Sequence, residues 1–347
     1  MIAALGLTFL LAFPLLEKGQ ETRAVRDSLG RTVAVPARVE RVLSLQPEVT
    51  RIIVALGAGS RLVGRDDFVA RFDHLFPLIY PSQSGLPVVS SADGFPKLET
   101  VMRLDPDLIF ASPSEAGVPD ILQKKTGKPV LAFSSMGRFE DLGREILWVG
   151  EALGRRERAE ELAGFLKRRL EDIRRLTDGV SDKVKPAVYV SFWGSFTRSP
   201  VGYEPVAAAG GRNLADGLLP SRLGTIATEV NLEKILAWDP EIILLHGNYL
   251  PRERTVTVEG VLNDPRLRSV RAVRNRKVFY TFGFWYWWDP ALALVETLML
   301  AKLFHPETFR EVDINREGNS IFKLFYGLEG GFDVLRRKLE IPDGPWR

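Results

Sequence analysis

The sequence contains one phrase twice, and this repeat constrains the fold more than any other feature. Residues 97–110 read KLETVMRLDPDLIF and residues 231–244 read NLEKILAWDPEIIL. Glu99 and Glu233 are 134 positions apart (233 − 99), as are Asp105 and Asp239 (239 − 105), so no gap interrupts the match. Two copies in register predict two similar lobes. Each copy is typical of a short amphipathic helix that ends at Asp-Pro and is followed by a buried strand.

Composition places the chain among ordinary soluble proteins. Its 347 residues suffice for two domains, and 45% hydrophobic with 26% charged residues is typical of globular folds. The net charge of +3 comes from residues spread along the whole chain, whereas nucleic-acid binders concentrate positive charge on one face. We therefore predict no nucleic-acid partner.

Residues suited to catalysis are scarce. The absence of Cys excludes disulfides, thiolate metal sites and a Cys nucleophile. The sequence has no Gly-x-Ser-x-Gly elbow and no Walker loop, and His74, His246 and His305 are isolated from one another. These features predict a binding protein, not an enzyme, with no metal site and no cofactor of its own. An extracytoplasmic enzyme built on the same two lobes is the alternative.

The N-terminus carries an apolar run from Ile2 to Leu16, followed by polar residues 17–20. At 15 residues the run is shorter than the roughly 20 needed to span a bilayer as a helix. It is typical of a signal peptide, with small residues that allow cleavage after Ala24. We predict a soluble periplasmic protein, and an uncleaved N-terminal membrane anchor is the alternative.

Two long helical patterns separate the copies of the repeat, at residues 139–153 and 155–176. In the second, Leu162, Leu166, Leu170, Ile173 and Leu176 recur every three or four residues and form one apolar stripe. Its 22 residues would span roughly 33 Å, enough to run the length of a lobe. The predicted organisation is a signal peptide (1–24), an N-terminal α/β lobe (25–154), a linker helix (155–178), a C-terminal α/β lobe (179–304) and a C-terminal helical tail (305–347).

Three local predictions complete this organisation. Residues 27–36 are typical of a hairpin with Gly30 in its turn. Residues 209–213 predict a turn with a helix to follow. The tail predicts short helices that cover a surface.

Several motifs, in order along the chain, carry a family resemblance. They are DSLGR at 27–31, RVLSL at 41–45, ALGAG at 55–59, the paired Leu-Glu and Asp-Pro phrases, and AGGRN at 209–213. The series resembles the class III substrate-binding proteins of ABC importers for iron-siderophore, haem and cobalamin. The resemblance implies two Rossmann-like lobes joined by a long rigid α-helix, a ligand cleft between the lobes and little hinge motion. One departure is Thr50-Arg51, because the family often has Glu after this Thr.

The resemblance also implies a partner, the ABC permease dimer, and assigns the docking carboxylates to Glu99 and Glu233. A two-fold symmetric permease presents the same cationic patch twice, so a monomeric binding protein needs two equivalent anionic residues. We predict such a monomer. The alternative role for each Glu is to stabilise a helix N-terminus through the helix dipole.

For the ligand, the resemblance implies contacts from loops at the carboxyl ends of strands, where open α/β sheets bind their ligands. Asp66 and Ser114 lie in these loops. The ligand-binding residues predicted from them are Gln46, Arg65, Asp67, Phe68, Ser112, Trp193, Phe196, Tyr203, Arg222, His246, Tyr249, Trp285, Tyr286, Trp287 and Trp288.

The character of these residues predicts the class of ligand. Five consecutive aromatics at 284–288 cannot all face one core, because neighbouring side chains of an extended segment point to opposite sides. Aromatic area combined with Arg65 and Arg222 favours a large anionic metal chelate of the ferric siderophore, cobalamin or haem type. The alternative is an oxyanion such as molybdate or tungstate, which would need a small polar nest.

Overall fold

The structure is a computed structural model that describes residues 21–90, 96–113, 117–133, 138–178, 185–221, 227–282 and 289–342. Its strands are β1 (Thr22–Arg26), β2 (Thr32–Pro36), β3 (Val42–Ser44), β4 (Leu62–Gly64), β5 (Leu108–Ala111), β6 (Val130–Ala132), β7 (Ala187–Ser191), β8 (Arg198–Pro200), β9 (Arg212–Asn213), β10 (Ala227–Glu229), β11 (Ile242–His246) and β12 (Val278–Thr281). Its helices are α1 (Pro47–Ala55), α2 (Asp67–Phe72), α3 (Phe76–Ile79), α4 (Leu98–Leu104), α5 (Val118–Thr126), α6 (Phe139–Leu153), α7 (Arg156–Thr177), α8 (Glu204–Ala208), α9 (Leu232–Trp238), α10 (Val258–Leu262), α11 (Arg271–Arg274), α12 (Pro290–Phe304), α13 (Ile314–Tyr326) and α14 (Gly331–Lys338).

Two four-stranded parallel sheets form the two lobes and share one topology. The first has the strand order β4-β3-β5-β6 and the second the order β9-β7-β11-β12. In each sheet, the first strand along the chain lies between the second and the third, and the fourth lies beyond the third. The two-lobed α/β fold predicted from the repeat is therefore confirmed.

The repeated phrase forms the same helix-to-strand unit in both lobes. The first copy is α4 followed by β5, and the second is α9 followed by β11. Asp105 (φ 44°) and Asp239 (φ 43°) end the two helices in the left-handed conformation, which residues other than Gly seldom adopt. Both strands that follow are buried along their full length. The similarity therefore extends to an uncommon backbone geometry.

The linker helix α7 has 22 residues and packs against α6, α8 and α12. Leu162, Leu166, Leu170 and Ile173 of the predicted stripe are buried, whereas Leu176 is 52% exposed and does not belong to it. The largest core runs continuously from the inner face of the first sheet, past α6 and α7, to the inner face of the second. Two smaller cores cover the outer faces of the sheets.

The C-terminal tail is helical, as predicted, but it does not merely cover a surface. Phe309, Phe322, Phe325, Phe332 and Leu335 are almost completely buried and belong to the largest core. Helix α13 packs against α12 and α1, and α14 packs against α13 and α3. The tail helices do lie over other elements, and they also complete the largest core, which the sequence could not predict because the period of a helix reveals an apolar face but not the surface that buries it.

The prediction for residues 209–213 is wrong. Arg212 and Asn213 form β9, which pairs with β7, and turns follow it in place of a helix. A Cβ atom on Gly210 or Gly211 would collide with His305 or Phe304, so the two glycines allow close approach of α12. The sequence cannot reveal a contact with residues about 90 positions away.

The N-terminal hairpin is confirmed, with Gly30 in its turn at φ 77°. It begins earlier than predicted, and Ala24 pairs with Ala34 in the middle of β1. Cleavage after Ala24 would therefore remove three residues of a paired strand. The rest of the predicted signal peptide, residues 1–20, lies outside the described residues.

Candidate ligand cleft and docking carboxylates

The parallel sheets bring the predicted ligand-binding loops to one edge of each lobe, because all strands of such a sheet end on the same side. In the first lobe this edge carries residues 45–46, 65–68 and 112. In the second lobe it carries residues 192–193 and 247–249. We call these two edges the carboxyl edges. Each lobe thus contributes one wall to the candidate cleft.

Trp193 is held at the second carboxyl edge by a tight turn. Trp193 (φ 49°) and Gly194 (φ 66°) are both left-handed, as the two central residues of a type I′ hairpin turn must be. The hydroxyl of Thr255, which is distant in sequence, donates a hydrogen bond to the Gly194 carbonyl at 2.6 Å and so stabilises the turn. The Arg198 guanidinium lies 5.8 Å from the centre of the Trp193 ring. The indole is half-buried, so one part of it remains accessible.

His246 lies beneath this turn, at the end of β11. Its ring stacks on Phe192 at 5.7 Å with a 5° interplanar angle and contacts Tyr249 at 5.0 Å. Burial lowers the pKa of His246 to about 3, so the imidazole is neutral near pH 7. The Trp193 backbone N–H donates to Nδ1 at 3.3 Å, which places the ring proton on Nε2. The second wall is therefore an aromatic cluster with an uncharged imidazole.

The first wall contains Arg65, directly after β4. Its guanidinium donates to the Leu86 carbonyl at 3.2 Å and to the Gln83 side-chain oxygen. Both acceptors are uncharged, so these bonds orient the guanidinium without neutralising it. Asp67, two residues on, pairs instead with Arg71 on the next turn of α2.

Asp66 is the most unusual carboxyl group at this edge. It caps α2 by accepting a hydrogen bond from the Val69 N–H at 2.9 Å, and it is 6% exposed. Burial raises the pKa of Asp66 to about 7, and the neighbouring Asp73 carboxylate shifts it in the same direction. Such a shift is typical of functional sites but also occurs in structural networks.

Seven of the predicted ligand-binding residues lie at the carboxyl edges. Six of them are partly exposed, and the seventh, His246, is buried in the aromatic cluster. The seven are Arg65, Asp67, Phe68, Ser112, Trp193, His246 and Tyr249. Five others lie outside the described residues, namely Arg222, Trp285, Tyr286, Trp287 and Trp288.

The remaining three predicted ligand-binding residues are used in packing. Gln46 is fully buried before α1 and donates to the Phe133 carbonyl at 3.0 Å. Tyr203 is 2% exposed, and its hydroxyl donates to Glu296 within the largest core. Phe196 packs on Tyr189 at 5.7 Å against the outer core of the second lobe. These residues follow strands or turns in sequence, but their side chains point into protein.

The predicted docking residues occupy equivalent positions. Glu99 and Glu233 are each the second residue of a seven-residue helix, and both are exposed. Within the described part of the chain, neither carboxylate forms an ion pair. Each lobe therefore presents, at the start of its repeated helix, an exposed carboxylate that has no ion-pair partner among the described residues.

The sequence did not reveal a buried charged network that lies behind the first wall. The Arg51 guanidinium binds Asp73 through Nε at 2.8 Å and through Nη2 at 2.7 Å. Asp289 caps α12 by accepting from the Leu292 N–H at 2.8 Å, and it also accepts from the Tyr326 hydroxyl. The only sign of this network in the sequence was the Arg at position 51, where the family often has Glu. That difference did not identify the partners of Arg51.

Two further features concern only the described residues. Among those residues, no group of three or more His, Asp and Glu side chains is arranged to hold a metal ion. No helix in the same ranges is long and apolar enough to cross a membrane.

Comparison with known proteins places this architecture in a family. Residues 42–282 match the periplasmic binding protein family, which is more than half of the chain. The chain belongs to this family, and it is a substrate-binding protein of the kind that serves ABC transporters.

Two matches cover one relative over nearly its full length, and a third covers part of another relative. The chain is similar to the molybdate-binding protein MolA of Haemophilus influenzae, at 25% identity over 331 residues covering 88% of this chain and 91% of MolA. The solved structure of MolA bound to molybdate superimposes with a TM-score of 0.76 at 21% identity, covering 88% of this chain and 98% of that one. A shorter match, at 34% identity over 110 residues, links 31% of this chain with 36% of the vitamin B12-binding protein of Vibrio parahaemolyticus.

Proposed function

We propose that this protein is exported to the periplasm, captures a large anionic metal chelate between its lobes and, as a monomer, delivers it to a dimeric ABC permease. The chelate would be of the ferric siderophore, cobalamin or haem type. Because the family consists of substrate-binding proteins, we propose no reaction and no cofactor for the protein itself. Any metal would arrive as part of the ligand.

The observation that carries this proposal is the aromatic cluster at the second carboxyl edge. Trp193 and Tyr249 are partly exposed at this edge, where the buried rings of Phe192 and His246 support them. Exposed aromatic area of this kind suits a bulky ligand better than a tetrahedral anion. Arg65 on the first lobe supplies a positive charge whose hydrogen-bond partners are neutral. A large anionic ligand would use both features.

A second candidate is an oxyanion such as molybdate or tungstate. The observation that favours it is the similarity to MolA, which extends along almost all of both chains. Arg65 would then be the main anion-binding side chain among the described residues. The aromatic cluster would serve packing instead of ligand contact.

A titration panel separates the two candidates. The purified protein is titrated with several ferric siderophores, cobalamin, haemin, molybdate, tungstate and sulfate, and binding is followed by calorimetry and Trp fluorescence. We expect saturable binding of one chelate with quenching of the fluorescence. Tight binding of molybdate or tungstate alone would contradict the chelate proposal.

Two pairs of variants test the walls. Trp193→Leu should weaken binding of the identified chelate at least tenfold, which corresponds to about 1.4 kcal/mol, because a stacked aromatic contact is lost. The matched control Trp238→Leu alters a Trp that packs on the outer face of the second lobe. Arg65→Gln should weaken an anionic ligand, whereas Arg103→Gln, on exposed α4, should not. Equal affinities of Trp193→Leu and the wild type for the chelate would refute the proposal that the aromatic cluster contacts the ligand.

The docking assignment of Glu99 and Glu233 belongs to the same proposal. It is supported by the equivalent positions and the exposure of the two carboxylates, and by their lack of ion-pair partners in the described part of the chain. A permease with two-fold symmetry would present two equal cationic sites to them.

A further inference from the structure

The buried network around Arg51 joins segments that are distant in sequence. Arg51 lies in α1 of the first lobe and is 3% exposed. Its partner Asp73 is the residue that ends α2 and also accepts hydrogen bonds from the N–H groups of Leu75 and Phe76, both at 2.9 Å. This half of the network fixes the end of the helix that carries Asp67 and Phe68 of the first wall.

The other half belongs to the second lobe and the tail. Asp289 precedes α12, which packs against α7 and α8, and Tyr326 is the last residue of α13. Burial by itself would lower the pKa of Arg51, but the carboxylates of Asp73 and Asp289 outweigh burial, so the guanidinium stays charged. One guanidinium therefore compensates carboxylates from two different parts of the fold.

A second set of contacts also joins the first lobe, the second lobe and the tail. His74 Nε2 is 3.3 Å from a carboxylate oxygen of Glu253, which links the first lobe to the loop after β11. Lys338, at the end of α14, donates to the His74 carbonyl at 3.5 Å. Arg254 donates to the carbonyl of Leu339, the residue after α14, and its guanidinium lies 4.0 Å from the centre of the Tyr280 ring. The end of the tail thus contacts both lobes.

We propose that α13 and α14 form a second junction between the lobes, in addition to α7, and that this junction sets the separation of the two walls of the cleft. The Arg51 network is its buried end, and the contacts of His74, Glu253 and Lys338 are its outer end. Both ends adjoin candidate ligand residues, because Asp73 ends the helix of Phe68 and Glu253 lies four residues after Tyr249. These are positioning residues that act through the walls. The inference rests on the proposed ligand cleft.

The test measures the distance between the lobes in the absence of any ligand. Because the chain has no Cys, two spin labels can be attached at Arg103→Cys and Ala237→Cys, which are equivalent exposed positions on α4 and α9. Pulsed electron paramagnetic resonance then reports the distribution of distances between them. We expect one narrow distribution in the parent protein.

Arg51→Met and Tyr326→Phe should each broaden this distribution and move it to longer distances. The matched control is Tyr203→Phe, which also removes a buried Tyr hydroxyl from a carboxylate but lies wholly within the second lobe. An unchanged distribution in folded Tyr326→Phe would refute the junction, even if Arg51→Met does not fold. Equal broadening in Tyr203→Phe would also refute it, because the effect would then be general destabilisation. Since no ligand is present, these outcomes do not depend on which solute the protein binds.

Discussion

Asp66 should make the stability of the protein depend on pH in a direction opposite to that of most carboxylates. Its folded-state pKa of about 7 exceeds the ordinary value of 3.8. The folded protein therefore keeps a proton that the unfolded chain releases, so the free energy of unfolding falls as the pH rises from about 4 to about 7. Above that range the contribution is constant.

The size of the effect follows from the shift. Each pKa unit corresponds to about 1.4 kcal/mol, and the pKa of Asp66 is raised by about 3 units. The free energy of unfolding should therefore fall by up to about 4 kcal/mol between pH 4 and pH 8. Asp66 is 6% exposed, so solvent screens this contribution little. The Asp66→Asn variant keeps an oxygen that can cap α2 but cannot ionise.

The assay is urea unfolding of the wild type and Asp66→Asn at several values between pH 4 and pH 8. We expect similar stabilities at pH 4 and a variant that becomes progressively more stable than the wild type towards pH 8. Asp313→Asn, at the exposed cap of α13, controls for the loss of a capping carboxylate. Parallel stability curves for the wild type and Asp66→Asn would refute the reasoning.

Two further predictions concern His246 and the N-terminus. Burial lowers the pKa of His246 to about 3, so its contribution to the free energy of unfolding is complete above about pH 6.5 and is lost as the pH falls towards 3. His246→Gln should therefore lose less stability than the wild type on acidification. Equal dependence of the free energy of unfolding on pH in the two proteins, measured by urea unfolding, would contradict this. The mature exported protein should lack residues 2–16 but retain Thr22, since β1 begins there, and N-terminal sequencing that finds Ile2 would favour the membrane anchor.

The sequence predicted those parts of the fold that depend on local pattern or on repetition. The bounds of α6 agree with the predicted residues 139–153, and those of α7 differ from the predicted 155–176 by one residue at each end, because both are long amphipathic segments. The repeat at Glu99 and Glu233 predicted two similar lobes, since duplicated sequence buries its apolar face in the same way twice.

What the sequence could not predict depends on contacts between distant residues. Tyr203 follows a strand as a ligand-binding residue would, yet its hydroxyl bonds to Glu296, about 90 residues away. The tail displays apolar faces in its helices, but only the structure shows that they complete the core shared by both lobes. Arg51 differed from the family pattern, and its partners Asp73 and Asp289 became visible only in three dimensions.

Stimulation of the cognate transporter tests the central claim most directly. The double variant Glu99→Arg with Glu233→Arg reverses both exposed charges, and losing one partner of a buried interfacial charge pair costs roughly 2 to 5 kcal/mol. The matched control reverses Glu157 and Glu259, which are also exposed residues in the first turn of a helix. We predict that the first double variant no longer stimulates ATP hydrolysis by the reconstituted permease, while the control and the ligand affinity are unchanged. Full stimulation by Glu99→Arg with Glu233→Arg would contradict the proposed docking and the delivery function that depends on it.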